Sequence, residues 1–278
     1  MKALALVITI LCGSLLIYAT VDFPAWGDPK SPASLHVSPY YLIHSVEETH
    51  VPNVVTSVLA DYRGFDTMFE TTVIFCAGIA CFLLLRKVKR KKEYFIRHIP
   101  TGVIIHIKEP SKPPSGISKN IDEFEMIDPT WVPYDIITKT ICKFLIPFIQ
   151  LFALYVIAHG DFSPGGGFQG GVIFGTTFIL LAISFNLQSS LQKIKEKIIG
   201  IMCALGVLIY SGIGALMMLL GGHFLDYGRL SLILPLDPVK ARAYGMLGVE
   251  IGVGIAVSGV MFLIYANLAS SGTYEEGL

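Results

Sequence analysis

Long apolar runs alternate with polar segments along the chain. Because an α-helix rises about 1.5 Å per residue, about 20 apolar residues cross the roughly 30 Å of hydrocarbon in a bilayer. The runs that approach this length are Ala3–Thr20, Thr67–Leu85, Ile136–Ala158, Val172–Leu187, Ile198–Leu220 and Tyr244–Tyr265. The pattern predicts an all-α integral membrane protein with about six transmembrane helices, two N-terminal and four C-terminal. A cleaved signal peptide is the alternative for the first run, although no small-residue cleavage site follows it.

Composition supports the membrane class. Hydrophobic residues make up 53% of the chain and charged residues 15%, against about a quarter in a typical soluble domain. The formal net charge is zero, so nothing indicates a nucleic-acid partner. The five cysteines all lie in apolar runs and none has metal-ligand spacing, so no metal site is predicted.

Lysine and arginine residues predict the orientation. The basic cluster Arg86–Lys92 follows the second run, and Lys193, Lys195 and Lys197 follow the fourth. Positive charge beside a membrane helix marks the cytoplasmic side. The chain is therefore expected to be a multi-pass protein of the cell membrane with both termini in the cytoplasm.

Prolines indicate which segments lie outside the bilayer. Five prolines between Asp22 and Tyr62 argue against a long helix there. The proline-rich stretch 93–134 is expected to be a cytoplasmic connector with room for a small hairpin. The predicted domains are a two-helix domain, 1–92, this connector, and a four-helix domain, 135–278.

A glycine-rich stretch separates the third and fourth runs. It reads HGDFSPGGGFQGGVIFG from His159 to Gly175, with five glycines in seven residues. Irregular backbone is tolerated at membrane depth only where protein or trapped water satisfies its polar groups. The stretch therefore predicts a tightly packed re-entrant turn. The residues assigned to this structural motif are Pro164, Gly165, Gly166, Gly167, Gln169, Gly170 and Gly171.

Two strings in the sequence resemble known membrane subunits. HGDFSPGGGFQGG resembles the signature of the MnhB-type subunit of Mrp multi-subunit sodium/proton antiporters, whose relatives occur in archaeal membrane-bound hydrogenases and sulfur-reducing complexes. NVVTSVLADYRGFDTMFETTV, residues 53–73, resembles the carboxy-terminal end of the large antiporter subunit, which is a small separate polypeptide in some of those complexes.

The resemblance implies a non-catalytic subunit that helps to form a sodium path. The expected host is a redox-driven hydrogenase or sulfur-reducing complex, and the alternative is a purely structural scaffold in a standalone antiporter. The implied partners are other Mrp-type membrane subunits, including large proton-carrying ones, and a peripheral arm with iron–sulfur proteins. No bound cofactor is expected in this chain, the transported ion is sodium or a proton, and any oxidoreductase activity belongs to partners.

Two carboxylates open the second run. Asp66 and Glu70 are four residues apart, so a helix projects both from one face about 6 Å apart. Like charges at that distance raise each other's proton affinity unless a cation lies between them, so the pair is a candidate proton or sodium acceptor. The alternative is a structural ion network with Arg63. The resemblance favours the first interpretation, because Arg63, Gly64, Asp66 and Glu70 match the motif of the large subunit.

Glu250 lies about 9 Å along the sixth run. An ionisable group at that depth is costly and usually faces protein or a water-filled cavity, so it is a candidate for the ion path. The alternative is a protonated or paired structural carboxyl, with Arg242 as the nearest basic partner in sequence.

Other titratable groups flank the third run. His159 and Asp161 are candidates for proton relay or pH sensing, and the alternative is that they cap the helix end and the glycine turn. Lys139 and Lys143, one turn apart near the cytoplasmic face, are candidate inner proton carriers or, alternatively, snorkel to the headgroups.

Small residues one turn apart predict close helix packing. The pairs are Gly171 with Gly175, Gly200 with Ala204, and Gly248 with Gly252.

Overall fold

A computed structural model of the chain describes residues 2–85, 93–98, 100–101, 104–108, 124–127, 136–185, 187–270 and 272. The chain forms two compact units, Met1–Ser45 and Val46–Leu278. The helices in chain order are α1 (Lys2–Ala19), α2 (Ser38–Thr49), α3 (Val54–Thr56), α4 (Gly64–Leu85), α5 (Ile136–Ala158), α6 (Gly167–Phe185), α7 (Leu187–Lys193), α8 (Glu196–Leu219) and α9 (Pro238–Ala269).

The predicted transmembrane helices are present. Within the described residues, six helices are long and apolar enough to cross a membrane: α1 extended to Asp22, α4, α5, α6, α8 and α9. Each coincides with one of the apolar runs, and α9 extends its run at both ends. The prediction of six helical spans is therefore confirmed.

The segment after α1 differs from the prediction. A π-helical turn, Ala33–Val37, leads directly into α2, so residues 33–49 form one helical stretch in spite of the prolines in this segment. Pro32 caps this stretch, where a missing N–H is tolerated. Pro39 lies at the junction between the π-turn and α2, where the hydrogen-bond pattern changes. The expectation that these prolines exclude a long helix is wrong.

In the second unit α9 is the central helix. It packs against α8, α6 and α4, and α5 packs mainly against α6. Two core clusters lie along α9. The first contains Val51, Ala60, Tyr210, Leu225, Tyr227, Met246, Val249, Val253 and Val257. The second contains Ala182, Leu187, Ile199, Cys203, Val260, Phe262, Leu263 and Ala266. The ends of α6 and α9 and the beginning of α8 therefore meet at one end of the bundle.

Small residues allow the helix backbones to touch. A methyl group at Gly171 would lie 2.8 Å from the carbonyl oxygen of Gly254, and one at Gly175 would lie 3.1 Å from that of Ser258. These contacts confirm close packing for that pair. Gly200, by contrast, has open space on its Cβ side within 4 Å, so its predicted packing role is wrong within this chain.

The connector contains a small antiparallel sheet. Its strands are β1 (Glu93–His98), β2 (Ile104–Lys108) and β3 (Phe124–Ile127), in the spatial order β2-β1-β3. Glu93 pairs with Lys108 in the first ladder, and Phe95 pairs with Ile127 in the second. The hairpin that the sequence allowed is present as β1 and β2, and the sheet is an addition to the all-α architecture of the spans.

Enlarging Gly206 is expected to separate α8 from α9. A methyl group there would overlap the carbonyl oxygen of Gly252 and lie 2.5 Å from the backbone nitrogen of Ala256. Gly206→Leu should therefore destabilise the purified protein by about 1–3 kcal/mol, the usual cost of overpacking. Thermal unfolding in detergent measures it. Gly212→Leu on the same helix is the control, because nothing lies within 4 Å of its Cβ position; equal losses from both would contradict the packing of α8 on α9.

Candidate functional site

The glycine-rich stretch forms a compact turn between α5 and α6. The Gly166 N–H donates to the carbonyl oxygen of Val156 over 3.1 Å, which folds the turn back onto the last turns of α5. Gly166 has a φ of +121°, a conformation that side chains other than hydrogen rarely permit. Gly165 packs against the same carbonyl of Val156. The predicted tight turn is therefore present.

The beginning of α6 lies directly against the middle of α9. A methyl group at Gly167 would overlap the backbone of Glu250, including its carbonyl oxygen. Gly170 is similarly close to Ile157 of α5. Only glycine allows this approach, and the approach places the Glu250 side chain beneath the turn.

The Glu250 carboxylate faces the inner surface of the turn. Its Oε2 is 2.9 Å from the Cβ position of Gly160, and its Oε1 is 3.2 Å from the Cβ position of Gly166. The Oε1 of Gln169 lies at the same distance from the Gly166 position. Glu250 Oε2 is buried and has no hydrogen-bond partner among the described residues. The expectation that Glu250 faces protein rather than lipid agrees with this placement.

Asp161 brings a second carboxyl group to the turn. Its Oδ1 is also buried without a hydrogen-bond partner in the described part of the chain, and Asp161 directly follows Gly160, whose Cβ position is 2.9 Å from Glu250 Oε2. Burial raises the pKa of Asp161 above its ordinary value. Two acidic groups at one turn whose oxygens lack hydrogen-bond donors can share a proton or hold a cation. A proton or a cation would each supply the partner that these oxygens lack.

The segment that precedes α4 donates hydrogen bonds to the backbone of the turn. The Asn53 side-chain Nδ2 donates to the carbonyl oxygens of Gly160 and Ser163, each over 2.8 Å. The Asn53 N–H donates to the carbonyl oxygen of Asp161 over 3.0 Å. Thr56 Oγ1 donates to the carbonyl oxygen of Gly160 over 2.7 Å. These contacts satisfy carbonyl groups that the turn itself leaves without partners.

His159 does not take part in this cluster through its ring. The imidazole stacks on Tyr155 with ring centroids 4.9 Å apart and lies 5.7 Å from the ring of Phe162. Its carbonyl oxygen accepts the Phe162 N–H, which closes the end of α5. Of the two interpretations of His159, this packing fits the helix-end one.

The partner suggested for Glu250 is engaged elsewhere. Arg242 forms a bidentate pair with Asp61. Its Nε donates to Asp61 Oδ2 over 2.9 Å and its Nη2 donates to Asp61 Oδ1 over 2.6 Å. The Asp61 side chain is only 8% exposed. The alternative in which Arg242 neutralises Glu250 is therefore wrong.

The acids at the beginning of α4 lie apart from the turn. Asp66 forms an ion pair with Arg63, as the structural interpretation expected. Glu70 is exposed and has no partner among the residues that the structure describes. The structure therefore brings Glu250 and Asp161 together and leaves Asp66 and Glu70 on a different surface.

Two buried tyrosines anchor the break that precedes α4. The chain passes from a π-helical stretch, Ser57–Tyr62, through Arg63 into α4. Tyr227 donates its hydroxyl to the carbonyl oxygen of Ala60 over 3.0 Å, and Tyr210 donates to that of Gly64 over 2.8 Å. Burial raises the pKa of Tyr227, so its hydroxyl remains a donor. Sequence reasoning missed both, because a tyrosine in an apolar run carries no signal of its distant partner.

The candidate inner lysines are exposed. Lys139 Nζ lies 5.2 Å from the centroid of the Phe185 ring, and Lys193 Nζ lies at the same distance from that ring. Lys143 is exposed on α5. This position at the opposite end of α5 from the glycine turn fits side chains that reach for the headgroups.

Loss of the Asn53 side chain is expected to loosen the turn. Asn53→Ala removes both donors to Gly160 and Ser163, so hydrogen exchange of the turn amides should become faster, and stability should fall by about 1–3 kcal/mol. Hydrogen–deuterium exchange by mass spectrometry measures this over 159–166. The control is Thr72→Ala, which loses only a bond to Met68 within its own helix. Unchanged exchange in Asn53→Ala would contradict the anchoring role.

Two family models match the chain in adjacent stretches. The MnhB model, a domain related to the MnhB subunit of the Na+/H+ antiporter, matches residues 137–263. The MbhE model, which describes a subunit of MBH, matches residues 2–98. The first match contains the glycine turn and Glu250, and the second contains Asn53, Thr56 and the acids of α4.

Comparisons with whole proteins agree with these matches. The putative antiporter subunit mnhB2 of Staphylococcus aureus (strain Newman) is 29% identical over 136 residues, which are 49% of this chain and 94% of that protein. A chain of the membrane-bound sulfane sulfur reductase, an archaeal respiratory membrane complex, matches with a TM-score of 0.58 and 27% identity, over 96% of this chain and 97% of that one.

A second solved structure shares the fold. A chain of the Mrp complex from Dietzia sp. DQ12-45-1b matches with a TM-score of 0.56 and 23% identity, over 99% of this chain and 26% of that one. The comparisons confirm the resemblance that the two sequence strings indicated. The chain thus matches the MbhE model in its N-terminal part and the MnhB model in its C-terminal part, and it is similar to membrane subunits of cation/proton antiporter modules.

Proposed function

We propose that Glu250 and Asp161 form a cation-binding position in the ion path of an antiporter module. The observation that carries the proposal is the pair of buried carboxylate oxygens, Glu250 Oε2 and Asp161 Oδ1, that have no hydrogen-bond partner among the described residues. A buried oxygen without a donor is costly, and a sodium ion or a proton is the simplest partner that removes the cost.

The positions of the two acids support exchange of the bound ion or proton with water. Asp161 is half-buried and lies in the turn outside the two flanking spans, whereas Glu250 lies deeper on α9. An ion that enters at the turn meets Asp161 before Glu250. Hard cations prefer oxygen ligands, and the two carboxylates are of that kind.

The alternative function is a structural scaffold. It is favoured by the fully paired acid Asp61 and by the ion pair between Arg63 and Asp66, which need no transported ion. The paired form of Glu250 that this function offered is absent, because Asp61 engages Arg242. A transport measurement on a Glu250 variant separates the two functions.

We propose that the glycine-turn end of the bundle faces outward. Lys139 and Lys193 converge on Phe185 at the other end of α5 and α6, and positive residues favour the cytoplasmic side. The ends of α6 and α9 share one core cluster, so the carboxyl terminus belongs on that side too. With an even number of spans, both termini are cytoplasmic.

The proposed host is a multi-subunit complex in which partner subunits drive sodium movement. The match to a chain of an archaeal sulfur-reducing respiratory complex supports a redox-driven host over a standalone antiporter. In that arrangement large antiporter-like subunits carry protons, a peripheral arm with iron–sulfur proteins carries out the redox reaction, and this chain contributes no catalysis.

Removing the charge of Glu250 is expected to stop sodium-coupled proton movement. Glu250→Gln keeps the shape but cannot attract a cation, so the transport rate should fall by about tenfold or more. Membrane vesicles that contain the whole complex, with a pH-sensitive dye and a sodium pulse, provide the measurement. Asp226→Asn is the control, since Asp226 forms an exposed pair with Arg229. Normal transport by Glu250→Gln in an intact complex would leave only the scaffold function.

The stability of the complex should depend on pH through Asp161. Its pKa is raised by burial, so the folded state disfavours the ionised form and loses stability as pH rises through that pKa. Asp161→Asn removes the loss, so its melting temperature should exceed that of the wild type by an amount that grows as pH rises above about pH 4 and levels off above the raised pKa.

Sodium should reduce the difference in melting temperature between Asp161→Asn and the wild type if the site binds cations. The ion would offset both buried charges in the wild type but only that of Glu250 in Asp161→Asn, so the wild-type melting temperature should rise more with sodium at high pH. Asp226→Asn serves again as the control. A difference in melting temperature that is independent of both pH and sodium would contradict the cation-binding position.

A further inference from the structure

One face of α4 carries an acid that nothing in the described part of this chain neutralises. Glu70 is exposed, and the nearby cation Arg63 is already paired with Asp66, with side chains that are 62% and 55% exposed. One cation and two acids leave one negative charge without compensation. Asp61, the next acid toward the amino terminus, is paired with Arg242.

The position of Glu70 makes this charge costly. It is six residues into α4, or about 9 Å along a span that runs from Gly64 to Leu85. A charged carboxylate exposed to hydrocarbon within a membrane span is costly. Asp66, one turn nearer the end of the helix, is closer to the headgroups and has its own cation.

The rest of this face of α4 carries small and apolar side chains that allow another helix to pack against it. Thr71 and Gly78 are buried, and Gly78 packs against Val260 of α9. On the outward side Val73 is 66% exposed, and the small residues Ala77 and Ala80 continue the exposed stripe. Small side chains along an exposed membrane helix allow a second helix to approach closely.

We propose that this face of α4, defined by Glu70, Val73, Ala77 and Ala80, docks against a transmembrane helix of a different subunit. That helix carries a Lys, Arg or His side chain level with Glu70. Its small-residue contacts lie along Ala77 and Ala80, and its basic group replaces the cation that this chain lacks. The inference concerns assembly and does not depend on ion binding at Glu250.

Charge complementarity selects this occupant over the other two. A second copy of the chain, related by a twofold axis, would place one Glu70 near another and add repulsion. Lipid chains would leave the carboxylate in hydrocarbon without a partner. A basic group on a neighbouring helix instead forms an ion pair that is shielded from lipid and stabilises the contact.

Photo-crosslinking in the intact complex identifies the occupant. Phe69, beside Glu70 and 60% exposed, tolerates replacement by the aromatic photo-crosslinker p-benzoylphenylalanine. Illumination of the purified complex should produce one covalent adduct with a membrane subunit, and mass spectrometry should place it within about one helical turn of a basic residue. Adducts with lipid only, with another copy of this chain, or with a segment lacking basic residues would overturn the proposal.

Charge reversal tests the ion pair itself. Glu70→Lys should reduce co-purification of the crosslinked subunit by about tenfold, Glu70→Gln should reduce it less, and an acid at the identified basic position should restore binding to Glu70→Lys. Asp226→Lys, at an exposed acid outside the spans, is the control for added positive charge. Undiminished co-purification of Glu70→Lys, or a loss that the charge swap does not repair, would overturn the proposal. Transport by Glu250→Gln is a separate readout, so the two proposals fail independently.

Discussion

The need to satisfy backbone carbonyl groups inside a membrane protein governs this structure. The glycine turn leaves several carbonyls without partners within its own segment, and a buried carbonyl without a donor is costly. Asn53 and Thr56 supply the donors for Gly160, and Asn53 also supplies the donor for Ser163. The segment that matches the MbhE model therefore completes a turn in the segment that matches the MnhB model. Neither part has its full set of hydrogen bonds without the other.

The same turn explains why an acid persists deep in α9. Gly167 brings the α6 backbone against Glu250, so the carboxylate lies beneath the turn and away from lipid. Any side chain at Gly167 would displace α9 and move the carboxylate. The position of Glu250 relative to Asp161 is thus fixed by backbone contacts, which tolerate less change than a contact between flexible side chains.

Sequence reasoning predicted the parts of this arrangement and missed how they meet. The six spans followed from apolar runs, because span length is a local property. Glu250 followed from the cost of charge in a membrane, and Asp161 followed from its place beside His159 in the glycine-rich stretch; both are local arguments. The pairing of Arg242 with Asp61 joins residues 181 positions apart, and the anchoring of Gly160 by Asn53 joins residues 107 apart. No periodicity or spacing contains such pairings, so the wrong partner was assigned to Glu250.

The acids of the chain divide according to what lies opposite them. Asp61 is paired with the half-buried Arg242 and contributes to the fold. Glu250 Oε2 and Asp161 Oδ1 are buried at a turn that offers them no donor among the described residues, which is why we propose that an ion or proton completes them. Glu70 is exposed on α4, where we propose that a basic group of another subunit pairs with it. On these proposals the buried acids make transport depend on pH and sodium, whereas the exposed acid makes assembly depend on the charge of a neighbouring helix.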